Sequence, residues 1–281
     1  MIGVGPFPVT TAALLVATLL AWLVARYWRR GTDALSRRAA ASTLLDALFI
    51  GLIVARAVYV LRWWPHYVAA PVSIVAVGDG GFDVPGGAVA SLAWAWWRTR
   101  RSPQRRRPLF GAMLAGAALW GVMQAGLAFM LREAPPLPPL TLSDIRGRPV
   151  PLETHLGKPI VMNLWASWCP PCRREMPVLA QAQTDYPEVQ FLMVNQGEAV
   201  HTVAAFVRSQ RLTFDHLLLD PQSQAMQAAR TRALPTTLYF DANGRLVDAH
   251  LGELTAARLR DVLHRKLKQP PPSPTSSPSK E

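Results

Sequence analysis

Cys169-Pro170-Pro171-Cys172 constrains this chain more than any other feature. The apolar run Ile160 to Trp165 has β character and delivers the two cysteines to the start of a helix. Two thiols separated by two residues on a helix's first turn can close a reversible disulfide. The helix dipole and the free backbone N–H groups stabilise a thiolate on the first of them. That is the equipment of thiol–disulfide exchange.

Other uses of the pair fit poorly. A structural zinc site needs two further ligands at suitable spacing. These are the only two cysteines in 281 residues, and the six histidines are scattered. Arg173 stands where a haem-attachment motif requires histidine. No metal and no cofactor is expected.

Charge and hydropathy divide the chain near residue 132. Residues 1–131 hold thirteen Arg, no Lys and four acids, so most of the net charge of +12 belongs to the apolar half. Such a charge would elsewhere point to nucleic acid. Here the arginines flank hydrophobic spans, which points to a lipid bilayer and to no nucleic acid. Thr10–Trp28, Leu44–Leu61 and Leu109–Leu131 are long apolar runs, and Gly86–Trp97 is a shorter one. No Lys or Arg precedes the first run, the reverse of a cleaved signal peptide. The segments around 26–43 and 98–108 carry five and six Arg, whereas that around 62–85 carries only Arg62. Four spans with both ends outside satisfy the positive-inside rule. The expectation is a multi-pass protein of a bacterial inner membrane with its C-terminal part in the periplasm, where disulfides persist.

Within this half, Gly51-Leu-Ile-Val-Ala-Arg56-Ala-Val-Tyr59-Val and Gly80-Gly81-Phe82-Asp83-Val84-Pro85-Gly86-Gly87 resemble segments of prolipoprotein diacylglyceryl transferases. The resemblance covers about residues 44–100. Pro85 occupies that family's histidine position, and the family's later membrane helices have no counterpart, so lipid transfer is not expected. Arg56 is left three readings: contact with lipid headgroups, pairing with Asp46, or packing inside the bundle.

Ala134 to Pro139 reads as a proline-rich, extended spacer holding the next domain off the membrane. Residues 269–281 read as a disordered Pro/Ser tail. Between them, Ile160–Trp165, Val189–Asn195, Leu217–Leu219, Thr236–Phe240 and Leu246–Leu251 read as strands, with Asp241-Ala-Asn-Gly244 as a hairpin turn. Helices are expected from Pro170 to about Asp185 with an interruption near Pro177, over Ala199–Gln210 with Val200, Val203, Ala204 and Val207 on one face, and over Leu254–Leu267.

This order, with Trp-Cys-Pro-Pro-Cys, the opening Leu142-to-Leu152 segment, Gly157-Lys-Pro-Ile-Val161 and Leu234-Pro235-Thr236-Thr237, resembles the TlpA/ResA/CcmG-type thioredoxin-like proteins. The implied fold class is an α-helical membrane region (1–131) and, after a linker (132–139), an α/β thioredoxin-like domain (140–268). The resemblance implies a cis Pro235 beside the cysteines. Leu234, Pro235 and Thr236, with Trp168, Pro170 and Pro171, would then hold a substrate strand. Cys169, nearer the helix start, is expected to be the more exposed, attacking thiol, and Cys172 the resolving one. Asn163 replaces the buried acid of cytosolic thioredoxins. Glu175 matches an acid of the ResA-type branch and either manages protons or is a solvated first-turn acid favoured by the dipole. Trp165 and Trp168 are expected to shape the surface around the disulfide.

The resemblance implies a thiol:disulfide oxidoreductase that reduces envelope proteins, apocytochrome c among the candidate clients. Its pair would be reset by a membrane thiol reductase of the DsbD/CcdA type, because residues 1–131 contain no cysteine. A dithiol oxidase or isomerase, and a lipid- or lipoprotein-binding protein with a docking redox domain, are the alternatives.

Overall fold

The computed structural model describes residues 3–4, 7–27, 34–69, 71–75, 77–132 and 136–270. The chain forms two compact units, which divide near residue 129. Two two-residue strands, β1 (Gly3–Val4) and β2 (Phe7–Pro8), precede the helices of the first unit. These are α1 (Val9–Tyr27), α2 (Ala34–Arg62), α3 (Trp64–Ala69), α4 (Val84–Thr99) and α5 (Pro103–Arg132).

Small residues make much of the inner surface of these helices, with Leu44 and Leu109 buried beside them. Ala21, Ala25, Ala40, Ala41, Ala47, Ala95 and Ala112 are buried together, whereas Leu15, Leu19, Phe49, Ile53, Val89, Leu114 and Val122 face outward. A water-soluble protein would bury the large side chains and expose the small ones. The inverse arrangement is that of helices packed by close backbone approach in an apolar solvent. α2 and α4 meet most closely: Ser91 Oγ donates to the Ala47 carbonyl at 2.9 Å, and a Cβ on Gly87 would stand 2.8 Å from both Ala55 Cβ and the Gly51 carbonyl oxygen. Two helices, Ala34–Arg62 and Pro103–Phe129, are long and apolar enough to cross a membrane. α4, at 16 residues, is about 24 Å long, short of the ~30 Å hydrocarbon layer.

Asp83 caps α4 by accepting from the Gly86 N–H at 2.8 Å, and Pro85 sits in the first turn. Proline suits that place because its missing N–H would have no helical partner. Arg56 does not reach Asp46, which lies ten residues back on the same helix and therefore about 15 Å away along its axis. It pairs instead with buried Asp79 at 2.8 Å and donates to the carbonyls of Ser73, Ile74 and Gly81. Tyr67 donates to the same carboxylate at 3.2 Å. The guanidinium thus holds the segment 71–81 onto α2.

The second unit is a seven-stranded sheet in the order β4-β3-β7-β6-β5-β8-β9. Its strands are β3 (Thr141–Asp144), β4 (Pro149–Pro151), β5 (Ile160–Trp165), β6 (Gln190–Gln196), β7 (His216–Asp220), β8 (Thr236–Phe240) and β9 (Leu246–Leu251). β5, β6 and β7 run parallel, while β8, β9, β3 and β4 join antiparallel. The helices are α6 (Pro170–Asp185), α7 (Val200–Ser209), the five-residue α8 (Gln224–Ala228) and α9 (Ala256–Arg265).

β5 is buried on both faces, and its alternation divides two cores. Val161 and Trp165 pack with Phe191, Met193 and Tyr239 against Met176 and Leu179 of α6 and Leu259, Val262 and Leu263 of α9. Ile160, Met162 and Leu164 pack with Leu192, Val194 and Phe240 against Leu142, Leu152 and Ala225. Asn163 therefore points toward α6.

Three expectations need correction. α6 runs unbroken through Pro177: the lost N–H and the crowding of the Arg173 carbonyl weaken the helix there, while burial of Met176 and Leu179 holds it to the sheet. In α7, Val200 is 43 % exposed, and the buried face is Val203 with Phe206 and Val207 packed beside it. The spacer is not free over its second half. Leu137 is buried in the second core and its N–H donates to the Gly244 carbonyl at 2.7 Å, because an isolated Leu among prolines gains more from burial than from water. Residues 133–135 of the linker and 271–281 of the tail lie outside the described residues.

Gly87→Ala should destabilise the helical unit by about 1–3 kcal/mol through overpacking. Gly121→Ala, on α5 with open space around it, should stabilise by about 0.5–1 kcal/mol. Unfolding midpoints in detergent check the opposite signs.

Candidate active site

β5 ends at Trp165, and the chain turns through Ala166, Ser167 and Trp168 into α6. Cys169 is the N-cap of that helix. Its backbone is extended, and its Sγ accepts from the Cys172 N–H at 3.3 Å. Pro170 and Pro171 occupy the first turn, where fixed φ and a missing N–H cost nothing. Cys169 and Cys172 form a disulfide with Cα atoms 5.3 Å apart. The pair is thus covalently closed at the positive end of a 16-residue helix, where negative charge on Cys169 is favoured after reduction.

Cys169 is 3 % exposed and Cys172 fully buried. The order of exposure matches expectation, but the difference is small in the disulfide form. Access is marked by the neighbours: Trp168 is 68 % exposed and Pro170 is also exposed. Trp165, expected at the surface, is instead fully buried and packs its ring 5.5 Å from that of Phe206, because the strand alternation sends it into the core under α6.

The Leu234–Pro235 bond is cis, and Leu234 packs against the cluster that contains both cysteines. Thr236 is fully buried, contrary to its expected place on the substrate surface. Its Oγ1 donates to the Ala233 carbonyl at 2.7 Å and meets Thr231 Oγ1 at 3.1 Å, so it shapes the loop from within. The half-buried Leu234 remains the accessible edge.

Glu175 is 1 % exposed, which excludes the solvated first-turn reading. Asn163 Nδ2 donates to one carboxyl oxygen at 2.8 Å and the Leu254 N–H to the other at 2.7 Å. Burial pushes this acid up to about 8, against the two hydrogen bonds that favour its charge. Asn163 also donates to Thr237 Oγ1 at 3.0 Å. The position that lacks the thioredoxin acid thus binds an acid sent from the helix.

Glu198 was not visible as a site residue in the sequence. It follows Gly197 at the end of β6 and accepts from both the N–H and the hydroxyl of Ser167 and from Asn195 Nδ2. Its three-residue spacing from Asn195 acquires meaning only once β6 is known to end beside β5.

Comparison with known proteins follows the same division. Residues 134–249 match the AhpC/TSA family and residues 1–134 the prolipoprotein diacylglyceryl transferase family. Thiol-disulfide oxidoreductase ResA of Geobacillus thermodenitrificans is 35% identical over 128 residues, which are 45% of this chain and 73% of that protein. The Bacillus subtilis ResA is 29% identical over 136 residues, 48% of this chain and 75% of its own length. Among solved structures, StoA of Bacillus subtilis is 24% identical, covers 45% of this chain and 98% of its own, and has a TM-score of 0.40. A thioredoxin-like sheet with a Cys-Pro-Pro-Cys disulfide at a helix N-terminus defines a thiol-disulfide oxidoreductase. The chain belongs to the ResA family of these enzymes, with a helical N-terminal region that resembles prolipoprotein diacylglyceryl transferase.

Because the pKa of Glu175 is raised on folding, its contribution to stability is fully present below about 4.5 and is lost as pH rises through about 8. His216, whose pKa burial lowers, acts in the opposite sense below 6.5, so the difference between proteins is the useful quantity. The disulfide form should lose stability from pH 5 to pH 8.5 relative to Glu175→Gln. Denaturant midpoints that move in parallel for the two proteins would show that Glu175 does not titrate in this range.

Proposed function

We propose that this protein is a multi-pass component of a bacterial inner membrane whose periplasmic domain reduces disulfides of envelope proteins through Cys169 and Cys172. The observation that carries the reading is the redox pair at the N-terminus of α6 with a buried, proton-holding Glu175 one turn along. In the dithiol form, the Cys169 thiolate attacks a substrate disulfide. One substrate sulfur leaves as thiolate, and a mixed disulfide with Cys169 forms. Cys172 then attacks Cys169 Sγ, closing the internal disulfide and releasing the second substrate thiolate. Two electrons pass to the substrate. The proton of Cys172 must leave before that second attack, and Glu175, three residues along the helix, would receive it in its ionised form, whose share grows as pH rises toward about 8. Asn163 serves both states of the acid: its amide N–H donates to the carboxylate, and with the amide turned over its carbonyl accepts from the protonated form.

Trp168, Pro170, Pro171 and the half-buried Leu234 would form the surface that a substrate strand meets, whereas cis Pro235 is buried and shapes that edge from within. Apocytochrome c is a fitting client class, being an envelope protein with paired thiols. The arginine-rich segments 26–43 and 98–108 support four spans with the redox domain outside the cytoplasm. α1 and α4 would complete the four, with arginines over the tryptophans at the C-terminal end of α4: Arg106 of α5 stacks 4.3 Å from the Trp96 ring and Arg100 5.6 Å from that of Trp97. A membrane thiol reductase of the DsbD/CcdA type would return electrons to the pair.

Cys172→Ser should trap clients as mixed disulfides on Cys169, and Cys169→Ser should trap none. Identification of the trapped proteins as periplasmic would support the location, and cytoplasmic captures would overturn it. In cells lacking every membrane thiol reductase the pair should accumulate as the disulfide; a pair that stays reduced would mean another electron route.

A further inference from the structure

The clasp between Ser167 and Glu198 reaches the redox pair from outside α6. Ser167 lies two residues before Cys169, in the turn that aims the pair. Its N–H donates to Glu198 Oε2 at 2.7 Å and its hydroxyl to Oε1 at 2.5 Å. Asn195, fully buried near the end of β6 and in register with Trp165 of β5, donates to Oε2 at 2.6 Å. Gly197, at φ 73°, makes the turn that brings Glu198 back over the sheet end, and its N–H is held by the Asp220 carbonyl at 3.0 Å. Among the described residues, Glu198 has no Lys, Arg or His within ion-pair distance.

Two consequences follow from elementary electrostatics. Three donors on one carboxylate fix the start of the active-site turn to β6, and hydrogen bonds to a charged acceptor are about twice as strong as neutral ones. An ionised Glu198 also places a negative charge near Cys169. Two residues of chain span at most about 7 Å, so the charge lies within roughly 10 Å of the Cys169 backbone. It opposes the helix dipole, which favours the thiolate.

We propose that Glu198 is a positioning residue of the redox centre, one that clasps the Ser167 turn to β6 and holds Cys169 less acidic than its place on α6 alone would make it. This rests on the reading of Cys169 as the attacking thiol. The ionisable groups on the elements beside the pair include Arg173, Arg174 and Glu175 on α6, with Arg174 bound to Glu253 at 2.6 Å, and Arg232 in the loop that leads to Leu234. They are common to every variant compared below.

The test uses the full-length reduced protein in detergent, with the pH dependence of alkylation followed separately at each cysteine by mass spectrometry. Glu198→Gln should raise the thiolate fraction of Cys169 roughly threefold at a fixed pH below its pKa. It should also move the exchange equilibrium with glutathione toward the dithiol by a similar factor. Glu198→Ala reads the same quantity should the Gln protein fail to fold. Glu198→Asp and Ser167→Ala keep the charge and should leave the thiolate fraction at its original value. An unchanged Cys169 in both charge-removing proteins, or an equal shift in the charge-keeping ones, would overturn the proposal while leaving the exchange reaction intact. First labelling of Cys172 in the unaltered protein would overturn the assignment of roles, and this inference with it.

Discussion

The redox unit is held together at a buried carboxyl group. Glu175 joins three elements: α6 carries it, Asn163 of β5 binds one oxygen, and the backbone of Leu254, at the entrance to α9, binds the other. Arg174 grips Glu253 in the same loop from the next position on the helix. The loop's Gly252 N–H in turn donates to the carbonyl of cis Pro235 at 2.9 Å. The helix bearing the cysteines, the central strand and the cis-Pro235 loop thus share one polar network. A buried acid at this point is costly as an anion, so it keeps its proton near neutral pH.

Much of the α/β unit was legible because its strands are written as short runs rich in apolar residues. Ile160–Trp165, Thr236–Phe240 and Leu246–Leu251 match β5, β8 and β9 to the residue. The turn at Asp241–Gly244 was legible for the same local reason. Gly244 takes φ 76°, and Asp241 Oδ1 accepts from the N–H groups of Asn243 and Arg245 at 2.9 Å. What could not be read were side-chain meetings set by the tertiary fold. Helical period alone placed Val200 inward, yet Phe206 fills that side of α7 against Trp165. Asp79 follows Arg56 by 23 residues, and only the folded loop brings them together. Glu198 has the same character: no local pattern marks an acid that binds a turn 31 residues earlier.

The two units obey different packing rules. In the C-terminal unit large apolar residues fill both sides of the sheet, and buried polar side chains such as Asn163, Glu175 and Asp220 are hydrogen-bonded. In the helical unit alanines and glycines make up much of the inside and many large residues face outward. A helix contact without a water-driven hydrophobic force depends on closeness, which explains why Gly51 and Gly87 stand opposite each other at the α2–α4 crossing. It also explains why the buried Arg56 is so fully bonded, since an unpaired cation in such surroundings would be far more costly than in the redox unit.

This difference in packing bears on what the helical unit contributes. Its resemblance to a lipid-modifying enzyme suggests chemistry, but the residues left in place are architectural. Pro85 begins a helix and offers no acid or base. Arg56 spends its donors on Asp79 and on the carbonyls that fold its own loop. Thiol relays move electrons between cysteines, and residues 1–131 hold none. Every atom that can change oxidation state in thiol exchange therefore belongs to the C-terminal unit. What the helical unit retains is close helix packing around small residues. As the anchor of the proposed function it would confine the redox pair to a membrane surface, and confinement raises the local concentration of any partner held in the same layer. On that proposal the helical unit would serve exchange by limiting where Cys169 can search, while the exchanging sulfurs stay with Cys169 and Cys172.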